Sequence, residues 1–154
     1  MISKAEKGFD FVFLGFQSLT KNSYGKFKTG PKRTLIDIIE KDEPGYNTSE
    51  SLSNSGILLA RTNVAEDLVK KIRNKNAKQE YYLTDIVKMA AERGHSSTYV
   101  QCEEDECIGV NSQLELSVAE RKFQDDFRKK MMASGVSMPS PETCFFSHDT
   151  VIKG

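Results

Sequence analysis

The chain predicts an α/β layer, on three observations. The run Asp10-Phe11-Val12-Phe13-Leu14-Gly15-Phe16 is almost continuously apolar, the mark of a strand buried on both faces in a sheet covered by helices. Two later segments carry apolar residues at helical spacing and are each followed or preceded by strand-like runs. Strands alternating with helices, with one antiparallel excursion, argue for a layered sheet rather than a bundle or a sandwich.

Taken in order, the apolar run over 10–16 is the first strand. Gly25-Lys26-Phe27-Lys28 and Thr34-Leu35-Ile36-Asp37-Ile38-Ile39 flank Thr29-Gly30-Pro31-Lys32, whose Gly-Pro step is turn chemistry, so the two form an antiparallel pair. Asp42 to Ser53, with Pro44-Gly45, is polar and reads as a loop; Ile57-Leu58-Leu59-Ala60 reads as another short buried strand. Asn63 can cap a helix with Glu66 at the third helical position, and Val64, Leu68 and Ile72 recur at i+4 as its buried stripe. A second helix follows Thr84, with Ile86, Val87, Ala90 and Ala91 inward and Gly94 as its C-cap. Ser97 to Cys102 returns as a strand. Ser117-Val118-Ala119-Glu120 fits a capping box for a helix reaching about Ala133, with Ala119, Phe123, Phe127 and Met131 on one face and Gly135 ending it.

Composition excludes several functions. At 154 residues the chain suits one ordinary domain with a core. Its 22 basic and 22 acidic residues cancel, and no basic stripe marks a nucleic-acid surface. No segment has the apolar run needed to span a bilayer or to act as a signal peptide, so the default location is the cytoplasm. Cys102, Cys107 and Cys144 lack Cys-x-x-Cys spacing, and no His or further Cys lies nearby, so they read as free thiols rather than metal ligands. His95 follows a helix C-cap and is expected to be exposed; neither it nor His148 belongs to a nucleophile–base arrangement.

The short motifs narrow the function further. Tyr24-Gly25, then Ile38-Ile39-Glu40-Lys41-Asp42, then Asn54-Ser55-Gly56, then Asn76 with Glu80-Tyr81-Tyr82-Leu83-Thr84-Asp85-Ile86-Val87, and finally Gly109-Val110-Asn111 stand in that order before a long polar helix. This order resembles the second half of the uridyltransferase domain of the bacterial bifunctional N-acetylglucosamine-1-phosphate uridyltransferase/glucosamine-1-phosphate acetyltransferase family, from about Asp10 to Gly154. The resemblance implies residues 1–113 as the C-terminal portion of a Rossmann-like nucleotidyltransferase domain, 114–135 as a linking helix, and 136–154 as the start of a hexapeptide-repeat domain. Ser147-His148-Asp149-Thr150-Val151-Ile152-Lys153-Gly154 resembles the first turn of a left-handed parallel β-helix, although one solenoid turn cannot bury its own face.

Such enzymes join N-acetylglucosamine 1-phosphate to the α-phosphate of UTP and release pyrophosphate, and the protein must align two polyanions and neutralise charge with Mg²⁺ and basic groups. By resemblance, Gly25, Glu40, Asn54, Glu80, Thr84 and Asn111 would bind substrate. Asn111 would also hold Mg²⁺ together with an Asp from the first half of the domain, a side-chain carbonyl being a suitable hard ligand. Each has a plainer reading. Gly109-Val110-Asn111 is equally a turn and an N-cap, Gly25 a strand entry, Asn54 a loop residue before a strand, and Glu80 to Asp85 a capped helix start with two packing tyrosines. Two departures stand out. The family usually has one more residue between the Glu and the Lys-Asp pair, so aligning on Lys41-Asp42 puts Ile39 at the carboxylate position, whereas strand register keeps Glu40. Gln79 stands where Gly is common.

No Leu-x-x-Gly-x-Gly-Thr-Arg loop with its Pro-Lys, the family's triphosphate cradle, occurs in the sequence, and no catalytic residue is assigned to the chain. The expected partners are UTP and N-acetylglucosamine 1-phosphate or UDP-N-acetylglucosamine, with a complementing N-terminal half or self-association, and neither nucleic acid nor a membrane span. Association is expected because the neighbours of the strand over 10–16 would lie in the missing half, leaving an exposed edge. The alternative to an enzyme subunit is a non-catalytic remnant that binds sugar nucleotides weakly or pairs with another chain.

Overall fold

The computed structural model describes residues 1–18, 23–46, 52–76, 78–107, 109–110 and 112–152. The chain divides into two compact units, Met1–Cys107 and Ile108–Gly154.

The first unit holds the sheet. After a short helix α1 (Ile2–Glu6) come β1 (Phe11–Phe16), β2 (Lys26–Thr29), β3 (Leu35–Ile39) and β4 (Ser53–Ala60), then helices α2 (Thr62–Val69) and α3 (Ile86–Glu92), and β5 (Ser97–Cys102). The strand order is β3-β2-β4-β1-β5. β1 pairs in parallel with β5, Phe11 opposite Ser97 through Phe16 opposite Cys102, and antiparallel with β4. The remaining pairings are antiparallel, so the α/β sheet is mixed.

β1 is as buried as its composition demands: Phe11, Val12, Phe13 and Phe16 are all but fully covered. The exposed edge expected along it does not exist, because β4 and β5 occupy both of its sides; β3 and β5 are the outer strands. Leu68 of α2 and Ile86, Val87 and Ala90 of α3 close over Phe11, Phe13, Phe27, Leu35 and Ile38 to form the core. Gly15 is bare because an ideal Cβ there would lie 2.5 Å from the Phe27 ring, which stands edge-on to Phe13.

Several local expectations are corrected. The strand expected over Ile57–Ala60 runs from Ser53, so Ser53 and Asn54 belong to the strand and not to the preceding loop. It is also not deeply buried, with Ile57 50% exposed. α2 starts at Thr62 with Arg61 at its N-cap and no side-chain cap, so Asn63 is inside the helix. Leu68 is buried as the i+4 spacing predicts, whereas Ile72, though buried, lies past the end of the helix at Val69. On α3, Ala91 faces outward and Gly94 takes the positive φ (+75°) past the helix end. The turn between β2 and β3 places Lys32 and Arg33, not Gly30, in the left-handed region (φ 56° and 61°), with Thr34 N donating to Pro31 O. Two successive left-handed residues match the twist of an antiparallel pair. His95 is half-buried, its Nδ1 3.6 Å from Asp10, rather than exposed.

The second unit is built on α4 (Gln113–Ala133). Its cap is Ser112, not Ser117: Glu115 N donates to Ser112 Oγ, which in turn donates to the Glu115 carboxylate. The residues it buries are Gln124 and Arg128, whereas Phe123 is exposed and Phe127 half-buried, stacked on Phe146 at 5.0 Å. Gln124 exchanges both amide bonds with the Phe146 backbone (2.7 and 2.8 Å), and Arg128 donates to Cys144 O and to Asp125. Among the described residues past Gly135 there is no strand; Pro141–Thr143 forms a 3₁₀ turn, and Ser147 to Thr150 closes a second turn. No helix among the described residues is long and apolar enough to cross a membrane.

Candidate functional site

Gly25 lies at the entry to β2, and Glu40 follows the last residue of β3. The β2–β3 pairing places Lys26 opposite Ile39, which brings the flanking Gly25 and Glu40 together. An ideal Cβ on Gly25 would sit 3.1 and 3.2 Å from the two Glu40 carboxylate oxygens. Of the two alignments open to the sequence, the geometry supports strand register: Glu40 faces Gly25, while the Ile39 side chain lies toward Gly45.

Thr84 reaches the same carboxylate from another element. It sits in the 3₁₀ turn Leu83–Asp85 ahead of α3, and its Oγ1 donates to Glu40 Oε1 at 2.7 Å. Its hydroxyl therefore orients a carboxylate and does not cap the helix. Glu43 Oε2 accepts the Glu40 amide at 2.8 Å, holding the chain as it leaves β3.

Glu80 and Tyr82 join Glu40, Ser23, Lys41, Asp42 and Lys78 around a polar cleft of about 410 Å³. Asn76 serves the backbone instead. Its side chain donates to Glu80 O and accepts from Glu80 N, closing the turn over 76–80. Within that turn Gln79 adopts φ +56°, a left-handed conformation that suits glycine better. Lys78 and Asp42 pair across the mouth of the cleft; their hydrogen bond holds the Asp42 carboxyl below its usual range and the Lys78 ammonium above its own. Tyr81, the other aromatic of the motif, is 71% exposed and does not line the cleft.

Asn54 is joined through its backbone, donating from N to Gly25 O at 2.8 Å. Its side-chain oxygen turns back to accept Gly56 N at 3.2 Å. Asn111 lies outside the described residues. Gly25 and Thr84 thus meet at the Glu40 carboxylate, and of the sequence-predicted site residues only Glu40 and Glu80 line the cleft; Asn54 is attached to Gly25 by its main chain. Among the described residues no cluster of three or more His, Cys, Asp or Glu is placed to hold a metal.

One buried group beside the site had no signal in the sequence. In Lys26-Phe27-Lys28 the lysines alternate outward, as on a solvent face. Yet Lys26 is buried and donates to Ser53 Oγ at 2.7 Å. Burial lowers its pKa, partly opposed by Glu104, which in turn accepts from Ser18 Oγ at 2.6 Å. Only the cross-strand register, Lys26 opposite Ser53, reveals it. A larger cleft of about 540 Å³, lined by Lys71, Arg73, Lys88 and Arg93 among others, contains none of the residues singled out from the sequence except Asn76 and Asp85.

The mixed sheet with its two covering helices has a counterpart among solved structures. A nucleoside-diphosphate-sugar pyrophosphorylase from Vibrio cholerae RC9 superposes with a TM-score of 0.60 at 16% identity, covering 76% of this chain and 48% of that one. The two share a mixed α/β fold. No family model matches the chain. Full-length relatives are more specific. The chain is 40% identical over 148 residues to the bifunctional protein GlmU of Maricaulis maris, 41% over 142 to that of Caulobacter vibrioides, and 39% over 149 to that of Brucella anthropi. These alignments take in 96%, 92% and 96% of this chain. Over nearly all of its length the chain is similar to GlmU proteins, and it spans about a third of the length of the curated relatives it matches.

Proposed function

We propose that this chain forms the sugar-phosphate side of a uridyltransferase site that joins N-acetylglucosamine 1-phosphate to the uridylyl group of UTP. The observation that supports it most is the meeting of Gly25 and Thr84, from separate elements, at the Glu40 carboxylate, which itself lines a polar cleft with Glu80. Glycine at position 25 lets the Glu40 carboxylate stand close against the main chain beside the cleft. The Glu40 carboxylate, held by Thr84, would accept from a sugar hydroxyl, and Glu80 and Tyr82 would form the wall of the cleft. Asn54 would contribute a polar group beside Gly25 once its side chain leaves Gly56.

In this reading the phosphate oxygen of the sugar attacks the α-phosphorus of UTP and pyrophosphate departs. Mg²⁺, held in part by Asn111, would supply charge neutralisation when bound. The triphosphate cradle would come from a complementing portion, so the chain alone is expected to release no pyrophosphate from UTP and N-acetylglucosamine 1-phosphate. The cytoplasm, where such precursors are made, is the proposed location.

Binding by NMR tests the sugar site directly. N-Acetylglucosamine 1-phosphate is expected to shift the amide signals of Gly25, Glu40, Glu80 and Thr84 more than glucose 1-phosphate does, and Glu40→Gln is expected to weaken that response about tenfold, the loss of one charged hydrogen bond. Equal shifts with both sugars, or an unchanged response in Glu40→Gln, would reject the assignment.

A further inference from the structure

We propose that Cys102 and Cys107 are an oxidisable dithiol, joined into an intrachain disulfide by a peroxide. Cys102 is the last residue of β5, and Cys107 ends the 3₁₀ turn Glu104–Cys107 that leaves the sheet. Their sulfurs are 3.0 Å apart, so a bond of the usual length needs a closure of only about 1 Å. β1 holds β5 in parallel register, so Cys102 stands at a fixed place beside the turn that carries Cys107. Cys107 is buried and Cys102 half-buried, its Sγ also 3.5 Å from Gly15 O, so the pair is fixed against the sheet rather than dangling in solvent. A metal is the rival occupant of such a pair, but no third ligand stands with it among the described residues.

The chemistry balances without a cofactor. One thiolate attacks the peroxide O–O bond, forming a sulfenic acid and releasing water; the second sulfur displaces a second water and closes the S–S bond. Two thiols and one hydrogen peroxide give one disulfide and two waters, with two electrons passing from sulfur to oxygen. Burial and the neighbouring Cys107 push the Cys102 thiol up to about 12, so little of it is thiolate near neutral pH and its own attack on the peroxide is slow. The bond would tie the end of β5 to the turn two residues before Gly109, fixing where the chain departs toward Gly109-Val110.

Peptide mapping decides it. The folded chain is treated with hydrogen peroxide, denatured without reductant and alkylated with iodoacetamide. The expected result is a fall from three alkylated cysteines to Cys144 alone, a loss of about 2 Da per chain before alkylation, and a cross-linked peptide joining Cys102 to Cys107 that dithiothreitol reverses. In Cys107→Ser, Cys102 is expected to remain alkylatable or to carry a single-residue oxidation. Should that variant fold poorly, the map of the natural chain is sufficient. Full alkylation of all three cysteines after peroxide, separate sulfinic acids on Cys102 and Cys107, or a bridge involving Cys144 or a second chain would each overturn the proposal.

Discussion

At the level of single residues, Gln79 and Asp10 show how one side chain carries local cost or local support. Gln79 holds φ +56° in the turn that delivers Glu80 and Tyr82 to the cleft. A side chain in that region costs about 1 kcal/mol, part of which glycine returns through its greater freedom when unfolded. Gln79→Gly is therefore expected to raise stability by roughly 0.5 kcal/mol, read as a higher urea midpoint with an unchanged slope. Asp10 accepts Ser96 N at 3.0 Å and pairs with Arg61 at 2.9 Å. Burial pushes its carboxyl up, but Ser96 and Arg61 together hold it below the ordinary value. A depressed folded pKa means that the unfolded chain binds the proton first, so this support is full above about pH 4 and fades as pH falls through the folded value. Asp37 runs the other way: burial raises it, and its contribution worsens as pH rises from about 4 through the raised value. Acid titrations of stability are expected to show a shallower acid limb in Asp10→Asn, and in Asp37→Asn the loss of the opposing slope above it.

Among the elements, β1 and α4 make opposite demands on packing. β1 needs a missing side chain. Gly15→Ala would drive a methyl into the Phe27 ring, at 2.5 Å, in a cluster that also holds Phe13 and Tyr99. Overpacking of this kind costs about 1–3 kcal/mol, and calorimetry of the variant should find the melting temperature lowered to match. α4 needs polar ones. Its helical period suggested an aromatic stripe, but Gln124 and Arg128 instead bind the backbone of 142–146. Gln124→Leu would leave the Phe146 amide and carbonyl without that partner, at a cost of about 1–3 kcal/mol confined to the second unit. Hydrogen exchange at Phe146 is expected to quicken while the amides of β1 keep their protection. Unchanged exchange there would mean that the carboxamide does not hold the segment.

For the molecule as a whole, the core of the sheet is drawn entirely from residues before Cys107. Strand β1, central to it, finds both neighbours within the same unit. The two outer strands also approach one another at one end, where Thr34 bridges Thr98, Thr98 Oγ1 donates to Arg33 O, and Arg33 lies over the Tyr99 ring. A chain of residues 1–107 is therefore expected to fold without the rest, giving a dispersed NMR spectrum whose β1 and β5 signals match those of the longer chain. A collapsed, poorly dispersed spectrum would show that the second unit is needed. Any association would have to use the outer strands or the apolar side chains of the second unit, such as Leu114 and Phe145, and not β1.

Local rules account for what could be read from the residues in order. A continuous apolar run with no charge between Phe11 and Phe16 has no stable place but the middle of a sheet, and Gly-Pro between two β-rich segments can only reverse the chain. The ordered motifs likewise pointed to the GlmU proteins that the chain resembles over nearly its whole length. Other outcomes waited on the folded arrangement, because they depend on what lies opposite in space. Register across β2 and β3, not spacing from Lys41-Asp42, puts Glu40 against Gly25. Pairing with Ser53 buries Lys26, a residue whose alternation marks it for solvent, and the backbone of 142–146 makes Gln124 and Arg128 the buried face of a helix whose aromatic residues looked the better candidates. A charged or amide side chain is buried only where a partner satisfies it, and no period in the sequence records where that partner will be.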